Sequence, residues 1–180
     1  MSVAALREQL VRLDGLVRRH WNVPFLAEAV DAPATAAPLS LLLALLPEDG
    51  AQLGIGGNAF EFVGRRFIDQ IQYQFADLDF VQERGGTVFV TQQDFNAVFV
   101  GRDGETVWGG LAGGEFHCFG SSLAAFVTCL ADCFEISQAT FADDVREGDG
   151  YKPAFVAAVR EAVARNAGAS FEGWFEYFYG

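Results

Sequence analysis

Apolar positions near the N-terminus recur at helical spacing. Leu6, Leu10, Leu13 and Val17 fall at i, i+4, i+7 and i+11, the stripe of an amphipathic helix, with Ser2 as its N-cap. Arg7, Glu8, Arg12, Asp14 and Arg18 occupy the other faces. Asn22 and Pro24 predict a second, short helix reaching Val30. Residues 31–38 (DAPATAAP) read as a loop. The apolar run 39–46, interrupted only by Ser40, lies between Pro38 and Pro47. A bilayer span needs roughly 20 apolar residues, so this run predicts a buried helix, closed by the turn Pro47-Glu48-Asp49-Gly50.

Beyond Gly50 the period shortens to two. Phe60 and Phe62 flank Glu61. Phe67, Ile71, Tyr73 and Phe75 alternate with Asp69, Gln70, Gln72 and Gln74, which predicts one or two half-buried strands. Residues 87–91 (TVFVT), 95–100 (FNAVFV), 105–110 (ETVWGG) and 115–119 (EFHCF) predict further strands. Arg102-Asp103-Gly104 supplies a hairpin turn. Gly120-Ser121-Ser122 caps a helix with Leu123, Phe126, Val127, Leu130 and Phe134 on one face. Residues 141–150 are acidic and irregular, with room for one helical turn. Pro153 opens a helix carrying Phe155, Val159 and Val163. Ser170 caps a last one carrying Phe171, Trp174, Phe175 and Phe178. Helices, then strands, then helices predict an α+β domain over 1–180, its central antiparallel sheet flanked by N- and C-terminal helices and covered on one face. The absence of alternating βαβ units speaks against a doubly wound nucleotide-binding fold.

Composition narrows the function. A chain of 180 residues that is 51% hydrophobic has the apolar surface to order itself, which excludes a disordered tail. Twelve Lys and Arg against 24 Asp and Glu give a net charge of −12. That excludes a broad nucleic-acid or anionic-membrane surface, both of which need clustered cations, and favours a basic protein partner. All but one of the cationic residues are Arg, the usage of a GC-rich bacterial coding bias. The N-terminus carries charges within its first ten residues and has no apolar leader core. Cys118, Cys129 and Cys133 are an odd, sparse set, unlike a disulfide framework. The expectation is a soluble protein of the reducing cytoplasm.

The stretch 87–132 is the most informative. Two strands joined by an Asp-Gly turn lead to a short strand and then to a Ser-capped helix. In this pattern it resembles the SUKH superfamily of bacterial toxin-immunity proteins and fungal cell-wall-synthesis regulators. Ser122, Leu123, Phe126 and Leu130 would take the places of the family's capped helix, whose Phe packs under the sheet. Upstream, Pro38, Leu41-Leu42, Leu45-Leu46 and Asp49-Gly50 follow the family's looser N-terminal pattern, without its Leu-Pro-x-x-Tyr element. The resemblance covers 38–135 as a SUKH-like core and leaves 136–180 as a C-terminal helical extension. It implies a non-enzymatic protein that binds and neutralises a toxin, without a cofactor, inside the producing cell.

The chemistry agrees. His117, Cys118, Cys129 and Cys133 could in principle surround zinc, but no CxxC knuckle is present and the helical cysteines lie beside the apolar stripe, so core cysteines are expected and no metal. Ser121 and Ser122 read as caps rather than nucleophiles, and no catalytic residue is assigned. Gly54-Ile55-Gly56-Gly57 lacks the Gly-Lys-Ser/Thr ending of a phosphate loop and reads as a β-turn or a bulge. The glycine pairs 109–110 and 113–114 read as a mobile hairpin loop. Asp77, Asp79 and Glu83, with Glu115, form the expected landing site for a basic partner, and Trp108 is the expected exposed anchor beside the glycine loop. In the C-terminal FEGWFEYFYG, Phe171, Trp174, Phe175 and Phe178 are expected to dock, with Tyr177 and Tyr179 available to an interface. Two alternatives remain: an adaptor homodimerising through these aromatics, and a small carboxylate- or metal-dependent hydrolase.

Overall fold

A computed structural model describes residues 3–27, 36–92, 96–166 and 169–180, with Phe80 described for its backbone alone. Helix α1 (Val3–Trp21) buries Leu6, Leu10, Leu13, Leu16 and Val17, the stripe its sequence predicts. Its expected cap, Ser2, lies outside the described residues. The helix ends at Asn22, whose φ of 56° is the left-handed conformation that Asn tolerates. No second helix follows in 22–27. Instead the Asp14 carboxylate accepts the backbone N–H groups of Phe25 and Leu26, both at 2.8 Å, and folds this loop back along α1. The expected continuation through Val30 lies outside the described residues. Helix α2 (Pro38–Leu45) begins at its proline and buries Leu41, Leu42 and Leu45.

Six strands form one antiparallel meander in the order β1-β2-β3-β4-β5-β6. They are β1 (Gly50–Ile55), β2 (Asn58–Val63), β3 (Gly86–Gln92), β4 (Asn96–Gly101), β5 (Val107–Gly110) and β6 (Phe116–Gly120). Gly56 and Gly57 make the β1–β2 turn, as predicted. The β4–β5 turn is tied by Asp103, whose Oδ1 accepts the N–H groups of Glu105 and Thr106 at 3.0 Å. The Thr106 hydroxyl donates to the same carboxylate, and these bonds hold its pKa below the ordinary value. Phe95, placed in β4 by the sequence, lies outside the described residues.

The strand expected at 67–75 is a helix, α3 (Ile68–Phe75), followed by α4 (Asp79–Arg84). Ile68, Ile71, Gln72 and Phe75 also fit i, i+3, i+4, i+7, and a short mixed run satisfies both periods. The tertiary setting decides between them. β2 meets β3 only at Glu61↔Thr91 and Phe62↔Val90. Beyond that point the Gln72 side chain stands in for a strand: its Nε2 donates to the Val88 carbonyl and its Oε1 accepts the Val88 N–H, both at 2.9 Å. The sheet is therefore covered on two faces, not one. Phe75 packs with Val88, Ala97 and Phe99 on the outer face, joined by half-buried Ile71, Leu78, Val81, Trp108 and Phe116.

The inner face holds the main core, one cluster running from Leu6 to Tyr179. Helix α5 (Leu123–Glu135) is capped by Ser122, whose hydroxyl accepts the Ala125 N–H at 3.2 Å. It runs on into a π-helical turn, Ile136–Thr140. Residues 146–151 then form a small ladder of β7 (Arg146–Glu147) and β8 (Gly150–Tyr151) rather than the expected helical turn. Arg12 of α1 clamps α5 by donating to Asp132 and Glu135, each at 2.6 Å. Burial disfavours the Arg12 charge, but these bonds outweigh it and hold its pKa above the ordinary value. Helices α6 (Pro153–Arg165) and α7 (Phe171–Tyr179) complete the layer. Tyr177 and Tyr179 are buried with Trp174 and Phe178, so the interface role expected for the two tyrosines is corrected: they face the core. Burial alone pushes the Tyr177 hydroxyl far above its ordinary pKa. Among the described residues no helix is long and apolar enough to cross a membrane.

Candidate binding cleft

The outer-face helices create a surface cleft. Helix α4 sits over β5 and β6, and the loop after β5 rises beside it. Between them lies a cleft of about 500 Å³, within the general size range of ligand pockets. Asp79 and Glu83 come from α4, Glu115 from the opposing loop, with Leu78 and Phe116 as the apolar floor. Three of the four acidic residues singled out in the sequence thus share one cavity. The fourth, Asp77, is exposed and does not line it. None of the three lining carboxylates has a cation within 4.0 Å among the described residues.

Trp108 differs from its expectation as an exposed anchor. It is half-buried in the outer-face cluster, directly opposite Phe99 of β4. Its ring is covered by Arg84, whose guanidinium carbon stands 4.0 Å from the ring centroid. Arg84 also lines the cleft. Sequence reasoning missed this arginine; the signal available was a cation one residue after Glu83 in an acidic segment. The result is a wall in which an indole orients a guanidinium beside three carboxylates. A stacked cation of this kind contributes about 0.5–1 kcal/mol at exposed sites and holds α4 against the sheet.

The glycine loop is shorter than the sequence implied. Gly109 and Gly110 belong to β5, and a side chain at Gly109 would strike the Phe119 ring. The loop proper is 111–115. It is braced at one end by Asn96, whose Oδ1 accepts the Ala112 N–H at 2.7 Å.

The cysteine and histidine set does not converge. His117 packs against Gly173 on the inner side, and alternation along β6 turns Cys118 the other way. Cys129 and Cys133 are fully buried in α5, and burial pushes the Cys129 thiol far above its ordinary pKa. Among the described residues no group of three or more His, Cys, Asp or Glu side chains is placed to hold a metal ion. No family model, curated protein or solved structure matches this chain.

Proposed function

We propose that this protein is a non-enzymatic acidic binding protein that takes a basic protein partner in the α4 cleft. We further propose that it acts as a SUKH-type immunity protein, occluding a toxin by stoichiometric binding inside the producing cell. The observation that carries the reading is the meeting of Asp79, Glu83 and Glu115, from two separate elements, in one cavity without ion-pair partners among the described residues. Unpaired carboxylates of this kind attract lysine or arginine side chains and speed association in a salt-sensitive way. The surrounding charge of −12 extends that attraction beyond contact distance. Arg84 on Trp108 gives the cleft one cationic wall, which favours a partner with a carboxylate or carbonyl beside its basic groups.

The test is affinity capture from a bacterial lysate at low salt, with wild-type protein and the double variant Asp79→Lys/Glu83→Lys as baits. Both residues are at the surface, so folding stability should change by no more than about 0.5 kcal/mol per site. A single basic protein held one-to-one by the wild type, released by salt and lost from the variant, supports the reading. Equal retention by both baits, or retention indifferent to salt, rejects the cleft.

A further inference from the structure

At the opposite edge of the sheet a second cavity, of about 480 Å³, opens between the end of α1, the β1–β2 turn and the segment leading into β7. Its floor is bare backbone. A Cβ on Gly54 would stand 2.9 Å from the Trp21 ring, and one on Gly56, whose φ is +62°, would stand 2.4 Å from the Tyr179 ring. Only glycine lets the Trp21 indole lie against this strand while still forming a wall. The indole is held from behind by Phe134, edge-on at 5.2 Å.

The facing wall is polar and carries both signs of charge. After the π-helical turn, Ala142 and Asp143 both adopt left-handed φ values, 50° and 62°. The chain so bent brings Gln138, Asp143, Asp144 and Arg146 to the cavity, and of these the Asp144 carboxylate is already paired with Lys152 at 2.5 Å. Arg146 has no carboxylate within 4.0 Å among the described residues, in a chain with twice as many acids as bases. Its partners are neutral. Nη2 donates to the Tyr151 hydroxyl at 3.0 Å, the guanidinium stacks 4.6 Å from that ring, and the hydroxyl in turn donates to the Tyr179 carbonyl. The guanidinium is thus fixed in place with its charge uncompensated. Asp143 is the counterpart: its carboxylate accepts from the neutral Gln138 amide and has no cation within the same distance among the described residues.

A flat apolar wall, a positioned guanidinium and a separate carboxylate in a cavity of this size match one kind of small molecule. We propose that this cavity binds a free aromatic α-amino acid, its ring on Trp21, its carboxylate on Arg146 and its ammonium at Asp143. A guanidinium fork suits a carboxylate in particular. The site is distinct from the α4 cleft and does not depend on the binding role proposed for it.

The experiment titrates 15N-labelled full chain with L-phenylalanine, 3-phenylpropionate and phenethylamine, up to ~10 mM given the modest affinity expected between exposed charges. The chain has three tryptophans, and Trp21→Phe assigns the Trp21 indole signal. A saturable shift of that signal by L-phenylalanine is expected, with weaker binding of each one-charge probe. Arg146→Gln should weaken L-phenylalanine and 3-phenylpropionate about tenfold and leave phenethylamine unchanged. Asp143→Asn, which tolerates the same backbone, should weaken L-phenylalanine and phenethylamine only. Asp79→Lys/Glu83→Lys should bind L-phenylalanine as the wild type does, which separates failure here from failure of the cleft. No saturable Trp21 shift with any probe overturns the proposal. So does binding that survives both charge variants undiminished, or 3-phenylpropionate binding as tightly as L-phenylalanine.

Discussion

The two faces of the sheet are built on different physics. The inner face is sealed by aromatic mass: Trp174 lies 4.5 Å from Phe178, 5.4 Å from Phe119 and 5.6 Å from Phe126, measured between ring centroids. It leaves polar groups unserved. The Trp174 Nε1 and the Tyr177 hydroxyl are buried with no hydrogen-bond partner among the described residues. Among the described residues the outer face has four fully buried side chains in its cluster, and two short helices are fastened to it by polar contacts, Gln72 on Val88 and Arg84 on Trp108. Stability concentrates where apolar area is largest. The candidate cleft lies on the thin side, where a surface element can adjust without disturbing the core.

Trp174→Ala gives the largest expected effect. The residue is fully buried among rings, so its loss should lower unfolding free energy by about 3–5 kcal/mol, read by chemical denaturation. A loss under about 1 kcal/mol would break the contrast between the faces. Gln72→Ala comes next. It strands the N–H and C=O of Val88, and a buried unsatisfied group costs about 1–3 kcal/mol. Hydrogen exchange should quicken at Val88 and across α3 while α5 and α7 stay protected. Uniform acceleration over the whole chain would show that the faces unfold as one unit. Tyr177→Phe is the smallest and has the opposite sign. It removes a hydroxyl that lacks a partner, so stability should rise by up to about 1 kcal/mol. A fall of similar size would mean that the hydroxyl is served in solution and that the inner face is less purely apolar than its geometry.

The sites were legible to different depths. The acidic character of 77–83 and of Glu115 is plain in the chain, but proximity is not. Asp79 and Glu83 reach Glu115 only because α3 turns the chain over the outer face and sets α4 beside the 111–115 loop. The same placement puts Arg84 over Trp108, so a residue that reads as an exposed anchor becomes a covered wall. The second cavity was less legible still. Trp21 reads as the end of a helix, Gly54 and Gly56 as a turn, and Arg146 as one charge in an acidic stretch. They meet through contacts among segments more than 30 residues apart, which no local period encodes.

What the sequence determined alone was whatever depends on neighbours along the chain. The α1 and α5 stripes, the Ser122 and Ser170 caps, the Asp103 turn and the Phe60-Glu61-Phe62 alternation in β2 all rest on local spacing and side-chain-to-backbone bonds, and they produce an α+β chain with an antiparallel meander. Tertiary structure decided the rest. Residues 68–75 could satisfy a strand or a helix, and the unpaired backbone of Val88 beyond the end of β2 selected the helix that brings Gln72 to it. That choice covered the second face, buried half of Trp108 and gathered the three carboxylates. A two-fold and a 3.6-fold period overlap in a run this short, so only the partner that each side chain meets in space can separate them.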